Sequence, residues 1–328
     1  MTTQSDLSSY SMSFNCIYCH SLQESRQFVC KDLMYSSNHR FLYYRCSSCF
    51  SLQISTTPPN LQSFYPSTYS PFSSPPLSKL SRNRLVFRLL TQLPHQLSLA
   101  FTSFFNPDQV VSYIASSKLS RDTSILEVGC GAASGLMSLH SIGFTDLTGT
   151  DCFIDPQYLE NLPFHAYSST LPPEPRRYDV IMLNHVFEHL EDPFSLLCQL
   201  QSYLSPNGVI CIFCPLANSF GSYIFDAFWI QLDPPRHLNI PSTIGFRYLA
   251  ARAGYESVSM TCNSTSFQFI GSVQALCGIP LLSSSSIYNG SILSKSILAL
   301  LTPLLSIISY CLNLISRGDQ ARFIIRSF

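Results

Sequence analysis

The sequence predicts an α/β fold: a doubly wound parallel sheet, preceded by a small metal-stapled ribbon and followed by an apolar helical segment. Three observations carry this expectation. Between residues 125 and 214 apolar strand patterns alternate with helical ones, which in one chain means a parallel sheet with right-handed crossovers. The first strand, Ile125-Leu126-Glu127-Val128, runs straight into Gly129-Cys130-Gly131, a turn that leaves bare backbone open to a ligand. Ahead of the sheet stand two Cys-x-x-Cys pairs, Cys16/Cys19 and Cys46/Cys49.

Taken in order, the cysteines come first. Each pair puts two thiolates on one turn, and strand formers Phe41, Leu42, Tyr43 and Tyr44 lie between the pairs. Four thiolates complete a closed tetrahedral zinc site of the structural kind. So small a segment builds no core of its own and takes its folding energy from the ion. Residues 53–78, rich in serine, proline and threonine, read as an extended linker, which Phe64, Tyr65 and Tyr69 tie to a surface. Lys79–Leu99 has helical leucine spacing, with Pro94 as its stop. Arg82, Arg84 and Arg88 make one part of it basic, as a solvated face or a membrane-surface contact would be. A second helix is expected from Pro107 to Lys118.

Five parallel strands follow: Ile125–Val128, Leu147–Thr150, Phe164–Tyr167, Tyr178–Asn184 and Val209–Cys214. Helices are expected around Leu136–Ser141 and Pro193–Leu204, and Ser205-Pro206-Asn207-Gly208 reads as a turn before the fifth strand. Ligands of such sheets lie beyond the carboxyl ends of the strands, near the topological switch point.

Composition narrows the function. Apolar residues make up 46% of the chain and charged residues 12%, with a formal net charge of zero. No concentrated positive charge points to nucleic acid. Thirteen cysteines and a polar start, Met1 to Ser13, point to a reducing, cytoplasmic setting without a signal peptide.

Asp151 closes the second strand, where a carboxylate takes both hydroxyls of a ribose. Glu127 stands two residues before the first glycine. It would repel a pyrophosphate and attract an ammonium. Ser134 occupies the third position of a Gly-x-Gly-x-x-Gly fingerprint. These charges favour S-adenosylmethionine over a dinucleotide.

With these residues in view, the chain resembles the class I S-adenosylmethionine-dependent methyltransferases. Glu127-Val128-Gly129-Cys130-Gly131 looks like their first motif, and Gly149-Thr150-Asp151 like their ribose-binding strand. Tyr178-Asp179-Val180-Ile181 followed by His185 to Pro193 looks like their fourth strand and the segment after it. Phe220-Gly221, Trp229 and Leu232-Asp233-Pro234-Pro235-Arg236-His237-Leu238 resemble a subgroup with an N-terminal four-cysteine zinc ribbon, whose members often serve sugar or other small-molecule biosynthesis. The resemblance spans roughly residues 14–262 and a terminal edge strand at 318–326. It implies a Rossmann-like sheet, and cofactor contacts at Glu127, Gly129, Gly131, Asp151 and Asn184. Three departures stand out. Ala133 replaces a third glycine, Ser168 and Ser169 stand where some members carry an acid for the adenine, and Asn207 replaces a turn glycine.

A hydroxyl or acidic-carbon acceptor needs a base. His237 is the first expectation, with Asp233 and Arg236 orienting it; the alternative is a loop anchor. His185 and His189 follow the fourth strand over the transfer site. A divalent cation on His185, Glu188 and His189 fits their spacing, and so does one helical turn without metal. Trp229, Phe225 and Phe228 read as an acceptor-pocket wall or as core. The expected units are a ribbon at 1–52, a linker at 53–78, an S-adenosylmethionine-binding domain at 79–266 and an apolar segment with a final strand at 267–328. Residues 296–315 carry no charge, so a peripheral membrane contact through 267–315 competes with packing on the fold. The expected function is methyl transfer to an O or C atom of a small-molecule or sugar/glycan precursor. A decayed binding protein on the same fold, or a nicotinamide-dependent oxidoreductase, are the competing readings.

Overall fold

The structure, a computed structural model, describes residues 14–326 apart from 24, 33, 36–38, 66–76, 95–96, 98–99, 102–107, 283–285 and 287–291. The polar start, Pro107, Tyr69 and most prolines of the linker lie outside the described residues.

The parallel strands form where apolar residues run without alternation, because both faces of the sheet are covered. They are β4 (Ile125–Val128), β5 (Leu147–Thr150), β6 (His165–Tyr167), β7 (Tyr178–Asn184) and β8 (Leu204–Pro215). With β10 (Ser257–Cys262) and β11 (Gln320–Arg326) they make a seven-stranded sheet in the order β10-β11-β8-β7-β4-β5-β6. The chain winds outward from β4 through β5 to β6, then returns to β7 and β8 on the other side. The switch point therefore lies between β4 and β7.

One face is covered by α1 (Leu77–Gln92), α2 (Gln109–Ser117) and α3 (Ser134–Ile142), through Phe87, Leu90, Val111, Ile114, Leu136 and Leu139. The other is covered by α5 (Pro193–Leu200) and α7 (Thr243–Arg252), through Leu196, Leu197, Phe246 and Leu249. The short α4 (Pro156–Glu160) leads into β6, and α6 (Phe220–Phe225) follows β8. Asp108 caps α2 by accepting from Val110 N and Val111 N, and Asp192 caps α5 by accepting from Ser195 N.

Two strands differ from expectation. The last one, β11, is no edge: it pairs antiparallel with β8 on one side and β10 on the other. The edge is β10, whose side chains are mostly half-buried or exposed and whose apolar residues, Val258, Met260 and Cys262, alternate with polar ones. Nor is Ser205–Gly208 a separate turn. Between the pairs Tyr178–Leu204 and Val180–Val209, β7 advances two residues and β8 five, so the segment bulges out of an unbroken strand. A Cβ at Gly208 would sit 2.9 Å from the Tyr178 carbonyl oxygen, which is why the bulge carries glycine.

The ribbon is not freestanding. Its strands β1 (Arg26–Lys31), β2 (Arg40–Arg45) and β3 (Leu52–Ile54) are completed by β9 (Asn239–Ile240), which follows the Asp-Pro-Pro-Arg-His loop. Tyr43 and Leu52 of the ribbon share a core with Trp229, Leu232 and Ile240. Trp229 and Phe225 are therefore core, while Phe228 is exposed. Arg236, wholly buried, pairs with Asp32 of the ribbon at 2.7 Å and with Asp233 at 2.5 Å. Its guanidinium is spent on these acids and the Phe64 carbonyl, so it does not orient His237.

The apolar C-terminal segment contains α8 (Phe267–Leu276) and α9 (Ile292–Leu314). Among the described residues no helix is long and apolar enough to cross a membrane. The orientation of α9 is inverted for a soluble surface helix. It buries Ser306 and Ser309, the latter accepting from Gln268 Nε2 at 2.9 Å, and exposes Leu300, Leu301, Leu304, Ile307 and Ile308.

Removing Arg236 leaves Asp32 and Asp233 buried without a counter-charge. Arg236→Ala is expected to cost about 3–5 kcal/mol in urea unfolding. Arg26→Ala, which breaks the partly exposed Arg26–Asp226 pair, should cost less than about 1 kcal/mol.

Candidate active site

The glycine turn after β4 is set by close approaches. Gly129 and Gly131 take left-handed φ values of 69° and 53°, and a Cβ on Gly129 would lie 2.4 Å from a methyl of Val186. The turn therefore touches the segment that leaves β7. Gly131 N donates to Asp151 Oδ2 at 2.9 Å, and Phe153 N to Oδ1 at 2.8 Å. Asp151 is thus fixed beside the turn, with lone pairs remaining on both oxygens. Ala133 adopts the same left-handed conformation, φ 54° and ψ 29°, at the cap of α3. The missing third glycine leaves the path of the turn intact, at a backbone cost of about 1–2 kcal/mol.

Glu127 lies buried against the first turn of α3. A Cβ on Gly135 would come within 3.0 Å of both its carboxylate oxygens. Burial first, then the Asp108 carboxylate, push its carboxyl up to about 8, against opposing contributions from Leu136 N and Lys79. Its Oε2 has no hydrogen-bond partner, and neither has Asn184 Oδ1 at the end of β7. Two orphaned acceptors beside a glycine turn fit the ammonium of a methionine moiety. Lys79 and Asp108 are neighbours that sequence reasoning missed: Lys79 Nζ donates to Ser134 Oγ at 2.8 Å and lies 3.7 Å from Asp108. Both precede the strand pattern and belong to no local motif. Ser168 and Ser169 spend their hydroxyls on the Ile154 and Leu171 carbonyls.

The three expected histidines gather around Glu188. His185 takes φ 55° just after β7, and its Nδ1 lies 3.0 Å from Glu188 Oε1. Its side chain is 34% exposed. Burial opposes its charge, but the Glu188 hydrogen bond outweighs this and its pKa is raised. Burial likewise pushes Glu188 up, yet the same hydrogen bond and the surrounding histidines hold it down at about 2. His189 Nδ1 faces the Arg236 carbonyl at 2.9 Å and the Tyr65 hydroxyl at 3.1 Å. Burial, then His237, lower it to about 4. His237 is buried, with Nδ1 2.7 Å from the Gln231 carbonyl and Nε2 3.9 Å from Glu188 Oε1. Asp233 stands 4.0 Å from the same Nε2. The central carboxylate was legible only as the His-x-x-Glu spacing. It is His237, and not His185, that joins Glu188 and His189 in one group of metal-competent atoms.

The four cysteines also converge. Cys16 Sγ lies 3.5 Å from Cys49 Sγ, Cys19 Sγ lies 3.6 Å from Cys46 Sγ, and all four atoms fall within 4.8 Å of one another. Such a donor set fits one tetrahedral zinc ion. Behind it, Ser242 Oγ donates to the Cys49 carbonyl and Tyr18 to Asn239 Oδ1, so the cluster holds the loop that carries His237.

A family model described as a methyltransferase domain matches residues 92–260, just over half of the chain. No curated protein matches the sequence. Among solved structures, a putative sarcosine dimethylglycine methyltransferase from Galdieria sulphuraria is 16% identical, with a TM-score of 0.42 over 66% of this chain and 83% of that one. A coclaurine N-methyltransferase bound to N-methylheliamine and SAH is 15% identical, with a TM-score of 0.41 over 82% and 91%. The plantazolicin methyltransferase BpumL in complex with SAH is 20% identical, with a TM-score of 0.38 over 82% and 97%.

With cobalt in place of zinc, the cysteine cluster should give intense thiolate-to-cobalt absorption. Cys46→Ser is expected to lose that band and to release the ion at chelator concentrations the wild type resists.

Proposed function

The chain belongs to the methyltransferase-domain family, and from that premise we propose that this S-adenosylmethionine-dependent enzyme methylates an oxygen or carbon atom of a small-molecule or sugar/glycan precursor. The observation that carries the cofactor assignment is the pair of orphaned acceptors, Glu127 Oε2 and Asn184 Oδ1, beside a turn fixed by Asp151. Glu127 and Asn184 would hold the ammonium, Asp151 the ribose hydroxyls, and Gly129 and Gly131 the close backbone approach. The cofactor supplies an activated methyl group, so the chain's task is alignment, exclusion of water and management of one proton.

The His185–Glu188 pair supplies the base that a hydroxyl or acidic-carbon acceptor needs. Glu188 holds His185 through Nδ1–H, which leaves the lone pair at Nε2 to take the acceptor's proton. The His185 side chain is also more open than that of His237, 34% against 9% exposed, and His237 spends Nδ1 on a carbonyl. His237 and His189 then form the wall behind it, held by the zinc ribbon. The outward apolar face of α9 supports a peripheral membrane contact for the segment 267–315. The 79–266 unit would then act beside that surface, with the ribbon of residues 1–52 and the linker of 53–78 buttressing it.

Calorimetry tests the cofactor site without an acceptor. Asp151→Ala should weaken S-adenosylmethionine binding at least tenfold, and unchanged binding would sink the assignment. Glu127 is protonated in the free chain below about pH 8, while a bound ammonium favours the carboxylate. Binding at pH 7 should therefore release a proton. Affinity should climb by up to about tenfold per unit from pH 6 towards 8, where the cofactor's own α-ammonium begins to deprotonate. Glu127→Gln should abolish the climb. On a methylatable acceptor pool, His185→Gln should lower kcat about 10²–10⁴-fold and leave cofactor affinity unchanged. Leu304→Glu with Ile308→Glu should cut co-sedimentation with anionic lipid vesicles more than tenfold.

A further inference from the structure

Behind the proposed base lies a donor set that methyl transfer does not use. Glu188 is wholly buried; Oε1 accepts from His185, and Oε2 has no hydrogen-bond partner. Near the same carboxylate stand two imidazoles whose tautomers are fixed by their neighbours. His237 Nδ1 lies 2.7 Å from the Gln231 carbonyl, and His189 Nδ1 lies 2.9 Å from the Arg236 carbonyl. A carbonyl oxygen only accepts, so Nδ1 carries the proton in both rings and the lone pair of each neutral ring is at Nε2. Holding the far N–H of an imidazole on a backbone carbonyl is how proteins aim a metal-binding histidine. The two rings meet edge to face with centroids 4.8 Å apart. One donor atom from each of Glu188, His189 and His237 lies within 4.8 Å of the other two.

We propose that Glu188, His189 and His237 bind a first-row divalent cation through one carboxylate and two imidazoles. Metal–ligand bonds of roughly 2.0–2.2 Å set the donors about 3.3–3.5 Å apart. The 3.9 Å between His237 Nε2 and Glu188 Oε1 therefore has to close by about half an ångström. Oxygen and imidazole donors select zinc, cobalt, iron or manganese over a calcium-like ion. Three protein donors leave a coordination position open, unlike the closed four-cysteine site of the ribbon. His185 is the outer partner of the shared carboxylate, not a ligand. The site goes beyond the methyl-transfer reading and does not rest on it.

Cobalt titrated into the full chain with zinc already in the ribbon tests the proposal. One further cobalt per chain is expected, with weak d–d bands and no thiolate charge transfer. Glu188→Gln and His237→Gln should each weaken it at least 100-fold. His185→Gln, which removes only the outer partner, should weaken it about tenfold. A wild-type chain that takes up no cobalt outside the cysteines overturns the proposal outright, so a variant that fails to fold leaves it decidable. Unchanged cobalt uptake in both folded ligand variants overturns it as well and leaves a hydrogen-bonded cluster only. The readout is metal occupancy, so loss of methyl transfer and loss of this site are told apart.

Discussion

The Arg236 guanidinium, buried between Asp233 of its own loop and Asp32 of the ribbon, is the constraint on which the site depends. A buried charge is tolerated only when fully paired, so the loop cannot leave the ribbon without stranding three charges. That pairing fixes the backbone on both sides of Arg236. Its carbonyl receives His189, the next carbonyl receives the Tyr43 hydroxyl, and Leu238 N donates to the Glu188 carbonyl. The ribbon therefore does structural duty at the site itself. It supplies three of the four strands in the sheet that β9 completes, and β9 begins two residues after His237.

Glu127 and Glu188 are both buried, yet burial has opposite outcomes for them. Glu127 faces another acid, Asp108, and its carboxyl is pushed up to about 8; Glu188 faces histidines and is held at about 2. Burial disfavours charge in each case, and the neighbours decide the result. One carboxylate waits for a cation that only a ligand can bring. The other already has its hydrogen-bond partner and keeps its charge as the centre of the histidine cluster.

The parts legible in the sequence are those that local chemistry dictates. Glycines at 129 and 131, the acids at 127 and 151, the apolar run 178–184 and the spaced cysteines each carry their own signal, and the structure brings each group together as the spacing implied. What was hidden depends on pairing over long range. Ser257–Cys262 carries only a short alternation, with Val258, Met260 and Cys262 on one face, a weak signal beside the continuous apolar runs of the parallel strands. A two-residue β9 does not announce that it completes the ribbon. Trp229 looked equally suited to a pocket wall, and only the ribbon packed over it makes it core. In α9 the uncharged run leaves packing on the fold and a membrane contact open, and only the structure shows that the residues facing inward are the serines.

The insertion of β11 between β8 and β10 has a consequence for how the chain is made. Every other strand of the large sheet is synthesised before it, yet β8 lacks its second partner and β10 has none until residues 320–326 emerge. Unpaired strand edges recruit one another, within a chain or between chains. The nascent protein therefore carries these open edges throughout the synthesis of α8 and α9. Truncation anywhere between β10 and β11 is expected to yield an open, aggregation-prone sheet rather than a slightly shortened enzyme.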